Sequence, residues 1–136
     1  MPKYLIDTDT VSYAIRGASP SLRLRWKHAT PEDAFISSIT TAELLFGLKK
    51  YPLQHPLRPL VIGFLRSANI VNWDLPAAEA YADVCYKLTV AHALIGELGM
   101  MIAAHALSAG MILVGNNTRH FERLIPPLQL ENWTAE

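Results

Sequence analysis

Strand-like apolar runs alternate with helix-like patterns along the chain, and this alternation constrains its fold most, because it yields a parallel sheet covered by helices on both faces. "KYLID" reads as a first strand ending at Asp7, followed by a short helix over "TVSYAIR" that Gly17 stops. "SPSLRLRWKHA" reads as a second helix, with Pro20 near its first turn, where a missing N–H is harmless. The strand "AFISSI" follows, then a helix from Thr40 to Lys50 in which Thr40 and Glu43 have the spacing of a capping box. A helix from Pro56 to Ser67, a strand "NIVNW" and a helix from Pro76 to Ala91 come next; the last shows Ala78, Tyr81, Ala82, Cys85 and Leu88 on one stripe. A helix beginning in "IGELGMMIAAHA" runs to Ala109, where Gly110 suits a left-handed stop, and "MILVG" has the continuous apolar character of a strand buried on both faces. "NNTRHFERLIPP" reads as a loop with a helical turn and "LQLENW" as a closing edge strand.

The length of 136 residues and the lack of any compositional break predict a single domain over residues 1–136. Twelve basic residues balance twelve acidic ones, so net charge gives no argument for a nucleic acid or a membrane, and any phosphate binding must be local. The main positive concentrations are "RLRWKH", with Arg25 and Lys27, and the pair Lys49 and Lys50; such runs also occur on solvated helix faces. Cys85 is the only cysteine, so no intramolecular disulfide forms; it reads as a core residue, and its solitude suits a reducing cytoplasm. The amino terminus lacks the apolar stretch of a signal peptide, and the most apolar segment, Leu98 to Val114, falls short of the ~20 residues a bilayer demands. A soluble, cytoplasmic protein is expected.

In open α/β sheets, sites form beyond the carboxyl ends of the strands. Four segments deliver acids or amides there: Asp7 and Asp9 after the first strand, Glu43 after the second, Glu97 and Gly99 before the late helix, and Asn116 and Asn117 after "MILVG". Clustered carboxylates repel by several kcal/mol at ~4 Å, a cost that a hard divalent cation removes. Each residue also has a plainer reading. Asp7 or Asp9 could cap the first helix, Glu43 could serve the capping box, the asparagines could form a turn, and His105 on its apolar face could be a satisfied core histidine.

As an ordered set, "YLIDTDTVSYAI", "ISSITTAELLFGL", "IGELGMMIAAHAL", "LVGNNTRHFERL" and "LQLENW" resemble the PIN-domain ribonucleases, in particular the VapC-type toxins of toxin–antitoxin pairs, over nearly the whole chain. The resemblance implies a three-layer α/β/α sandwich with a mostly parallel central sheet, and cleavage of structured RNA such as transfer or ribosomal RNA with Mg²⁺ or Mn²⁺. It also implies a homodimer and a VapB-type antitoxin that lays an apolar segment over the grooves near the first helices and sends an arginine into the acidic pocket. Asp7 would be the first metal ligand, Glu43 the second acid, and Asn117, with Asn116 beside it, would fall at a fourth polar position. Thr8 would orient a ligand or a water. Arg119, His120, Arg25 and Lys27 are candidates for phosphate contact.

Two positions depart from the family pattern. The third acid of such toxins falls where this chain has Gly99, and a threonine or serine often stands where it has Gly115. Glycine is a poor choice in a helix, costing up to ~1 kcal/mol against alanine in the interior. A natural loss, an introduced change or a shifted role for Glu97 would each explain it, although Glu97, about 200° around a helix from position 99, cannot simply substitute. The expectation is a metal-dependent endoribonuclease with a partly dismantled site. Its rivals are a catalytically silent PIN domain that binds antitoxin or RNA, and a receiver-like phosphorelay domain. The latter needs an aspartate at the end of a middle strand, where "NIVNWD" offers only Asp74.

Overall fold

A computed structural model describes residues 2–29 and 31–134. Five strands form the sheet: β1 (Tyr4–Ile6), β2 (Ala34–Ser37), β3 (Asn69–Val71), β4 (Ile112–Val114) and β5 (Leu130–Glu131). Their order is β3-β2-β1-β4-β5 and every pairing is parallel, so the sheet is wholly parallel. The closing strand does lie at an edge, paired only with β4.

The helices are α1 (Thr8–Arg16), α2 (Pro20–His28), α3 (Ser38–Leu48), α4 (Leu57–Ser67), α5 (Leu75–Val90), α6 (Glu97–Ala109) and the single turn α7 (Thr118–Phe121). Local chemistry sets most of their ends. Asp7, Ser19 and Asp74 cap α1, α2 and α5 with side-chain acceptors, and Gly17 and Gly110 close α1 and α6 with positive φ of 65° and 67°. The cap on α3 corrects the sequence reading. The strand stops at Ser37, whose hydroxyl accepts from the Ile39 N–H, so Thr40 and Glu43 form no capping box and are released for other contacts.

Successive residues of the strands face opposite ways. Leu5 and Leu113 belong to one apolar cluster with Val84, Leu88 and Ile102, and Ile6 and Val114 belong to another with Val11, Leu22, Leu44 and Val61. The sheet is therefore the middle layer of three, with α5 and α6 on one side and α1 to α4 on the other. Cys85 packs, half-buried, against the first cluster, with its Sγ 3.9 Å from the Met100 Sδ. Because β1 is the central strand, Asp7 leaves the sheet where connections diverge to both sides, the place at which open parallel sheets form sites.

Candidate active site

Asp7, the first residue after β1, directs its Oδ1 to the Thr10 N–H at 2.9 Å and is only 8% exposed. The capping residue also forms part of the wall of a cavity. Burial pushes its carboxyl up from the ordinary 3.8 to about 6; Asp9 and Glu43 add to the rise and the Thr10 N–H opposes it. Its other oxygen lies over Gly115. A Cβ at 115 would stand 2.9 Å from Asp7 Oδ2, so the carboxylate occupies the space that any larger residue there would need.

Thr40 and Glu43, three residues apart on α3, share the face that meets α1. The Thr8 hydroxyl donates to Glu43 Oε1 at 2.6 Å and lies 3.0 Å from the Thr40 hydroxyl. A hydroxyl has one proton, so Thr8 accepts from Thr40 and passes the polarity on to Glu43. The chain Thr40, Thr8, Glu43 fixes the second carboxylate.

A cavity of about 190 Å³ is lined by Asp7, Thr8, Asp9, Glu43, Gly99 and Asn117, together with the exposed His120 and the buried Phe121. Residues from α1, α3, α6 and the segment after β4 thus meet. Gly99 sits in the first turn of α6, and a Cβ added there would find Ile95 Cδ1 at 3.6 Å, an ordinary contact, so nothing steric demands glycine. Asn117 Nδ2 lies 3.1 Å from His120 Nε2, pairing two of the predicted residues.

Other predicted residues lie elsewhere. Asn116 is half-buried and Arg119 exposed, and neither lines the cavity; Glu97 begins α6 and is exposed, also outside it. Arg25 bonds Glu131 at 2.8 Å and lies over the Trp133 ring at 5.6 Å, tying α2 to β5. Lys27 borders cavities on the α2 side that share no residue with the acidic one. Asp74 caps α5 after an edge strand, which leaves the receiver-like reading without its phosphoacceptor. His105 is a core residue as expected: its Nδ1 is 2.9 Å from the Ser37 hydroxyl, it also bonds the Asn72 backbone, and burial lowers its pKa. Asp9, which the sequence placed with Asp7 among the acids at the sheet edge, also lines the cavity, while the cap on α1 is made by Asp7.

The donors suit a hard divalent cation: the Asp7 and Glu43 carboxylates with the Asp9 carboxylate and the Asn117 amide also on the lining, and with the Asp7 carboxyl buried at an electrostatic cost that a cation would offset. They make a sparse set. Among the described residues, no three His, Cys, Asp or Glu side chains are placed to hold one ion.

Comparison with known proteins finds relatives over nearly the whole chain. The PIN domain profile matches residues 4–125. Ribonuclease VapC from Haemophilus influenzae is 37% identical, over 98% of this chain and 99% of its own. The tRNA(fMet)-specific endonuclease VapC from Shigella flexneri is 31% identical, over 98% of this chain and 100% of its own. Among solved structures, a chain of DNA-bound VapBC from Salmonella typhimurium superposes with a TM-score of 0.88 at 32% identity, over 98% of this chain and 99% of that one.

Proposed function

The chain belongs to the PIN-domain family, among its VapC ribonucleases, and from that premise we propose that it is a toxin-type endoribonuclease that hydrolyses phosphodiester bonds in structured RNA. A cognate VapB-type antitoxin neutralises it, as the VapBC complexes of its structural relatives support. The Shigella relative's specificity favours the transfer RNA class of substrate over the ribosomal. The observation that carries the proposal is the convergence of Asp7, Glu43 and Asn117, from three separate elements, on one cavity at the carboxyl edge of the sheet.

Asp7 and Glu43 would hold a Mg²⁺ or Mn²⁺ ion, with the Asn117 amide as a neutral donor. When bound, such an ion supplies Lewis-acid stabilisation of the phosphoryl group and lowers the pKa of a water. The protein's own part is positioning. Thr10 holds Asp7 through its N–H, and the Thr40–Thr8 relay holds Glu43. His120, beside Asn117, reaches the rim where a substrate phosphate would pass. The protein works in the cytoplasm as a single PIN domain that pairs into a homodimer.

Gly99 makes the site incomplete. With no oxygen donor at that place, cation affinity falls and the attacking water is held loosely. A second reading therefore has an observation of its own: a catalytically silent PIN domain that binds antitoxin or RNA agrees with the lack of three metal-ligating side chains among the described residues. A ribonuclease assay of this chain beside Gly99→Asp, with Mg²⁺ and with EDTA, separates them. The enzyme reading expects the variant to gain on the order of 10²-fold or more, since a well-held cation is worth several kcal/mol in the transition state. Inactivity of both proteins selects the silent module, and full activity in the Gly99 chain overturns the account of the missing donor.

A further inference from the structure

The wall that α6 gives to the acidic cavity carries no donor. Leu98, Gly99 and Ile102 line it there, with Gly96 just before the helix, and none of them has a side-chain oxygen. The acids on the lining are Asp7, Asp9 and Glu43, from the end of β1, from α1 and from α3. Of the three, Asp9 is the one to which the site assigns no task.

Asp9 is anchored on both sides. The Thr8 hydroxyl is bound to Glu43 and the Thr10 N–H to Asp7, so the first turn of α1 holds Asp9 between two residues that are themselves tied to the site. Its side chain is exposed, and among the described residues no basic side chain pairs with it. Of the two acids that help push the Asp7 carboxyl up, Asp9 acts more strongly than Glu43. A like charge so close is a cost to the empty cavity and a gain once a cation enters. An acid in a first turn also favours the helix macrodipole. That accounts for an acid in the turn, where Asp7 already supplies the cap, and leaves its place on the cavity lining unexplained.

We propose that Asp9 supplies from α1 part of the negative charge that α6 lacks at Gly99, as an acceptor for the hydration shell of the cation held by Asp7 and Glu43. The proposal rests on the metal-dependent ribonuclease reading and adds a residue to its site. Asp9 does not join Asp7 and Glu43 in direct ligation, because no three acids among the described residues are placed on one ion. A small divalent cation keeps several waters, and those waters need acceptors of their own. Asp9 is therefore a positioning residue, serving the shell that Gly99 leaves without an acceptor.

The test is isothermal titration of the full chain with Mn²⁺. Asp9→Asn removes the charge at nearly constant size and weakens binding on the order of tenfold, as expected for an outer-shell partner. Asp9→Glu, which keeps the charge, stays closer to the parent than Asp9→Asn does. In the Gly99→Asp background the same Asp9→Asn change costs at most about twofold, because the added carboxylate takes over the acceptor's part and the two positions are coupled. Unchanged affinity in Asp9→Asn, with only a lowered urea midpoint in EDTA, gives Asp9 to the helix alone and overturns the proposal. So does a loss that vanishes in about 1 M KCl, as a diffuse surface field would. An equal loss in both backgrounds overturns the compensation for Gly99. A parent that binds no Mn²⁺ while Gly99→Asp binds it also overturns the compensation, and leaves the ribonuclease reading standing. Mn²⁺ affinity untouched by Asp7→Asn removes the cation site itself, and the metal-dependent reading falls together with the role of Asp9.

Discussion

Asp7 caps α1 and walls the acidic cavity with the same buried carboxyl, and that burial is costly above pH 6. A carboxyl whose folded pKa is raised holds its proton more tightly in the native state than in the unfolded one. Its stabilising contribution is complete below the unfolded value of 3.8 and is lost as the pH rises through about 6. At about 1.4 kcal/mol per pH unit, that interval corresponds to a loss of about 3 kcal/mol by neutral pH. Asp7→Asn keeps the capping oxygen and carries no charge. In EDTA its urea midpoint should exceed the parent's at pH 7 and coincide with it at pH 3.5; Mn²⁺ should raise the parent's midpoint and leave the variant's unchanged. Gly115 gives a second prediction. The Cβ of Gly115→Ala would lie 2.9 Å from Asp7 Oδ2, so the carboxylate must move, and isothermal titration with Mn²⁺ should show an altered affinity for the ion with the fold intact. The cap made by Asp7 was legible in "DTDT", because a short acid at a strand end readily closes the helix that follows. The role of Glu43 was half legible. Its S/T-x-x-E spacing suggested a local box, but its hydroxyl partner is Thr8, 35 residues away, and no local pattern encodes that distance.

At the scale of elements, α3 shows how one residue joins two layers. The Ser37 hydroxyl accepts from the Ile39 N–H at 3.1 Å and meets His105 Nδ1 at 2.9 Å, fully buried. Ser37→Ala removes the cap and leaves a core imidazole nitrogen unpaired, which should cost about 1–3 kcal/mol in urea unfolding. Mn²⁺ affinity should stay the same, since Ser37 does not line the acidic cavity. The sequence announced the helices through caps and stops, and their number and order follow it closely. It overran the strands. "AFISSI" ends as a strand at Ser37 because that serine turns the chain directly into α3, and apolar continuity cannot show where a cap cuts a run short. On the basic helix α2, Arg25 pairs with Glu131 and lies over Trp133, an association set by tertiary packing that no local pattern encodes.

Across the whole molecule, the alternating pattern and the rule for parallel sheets located the cavity before any coordinates, because both depend on topology. They could not reveal which surfaces stay open. On α5, Tyr86 and Val90 stand one turn apart on a common face, 74% and 61% exposed, and Leu94 beyond the helix is 61% exposed. Such a row suits the homodimer expected from the family. Light scattering should give twice the 15.1 kDa of the chain, and Val90→Glu should halve it. The strand order has a consequence for how the protein comes into being. Its central strand is made first, yet β1 lies between β2 and β4, and β4 is synthesised more than a hundred residues later. At roughly 5–20 residues per second, the ribosome finishes this partner of the order of ten seconds after β1. Until then Asp7 has no Gly115 to rest on and Asn117 does not exist. A chain interrupted partway therefore has no assembled cavity, which forms only when synthesis is almost complete.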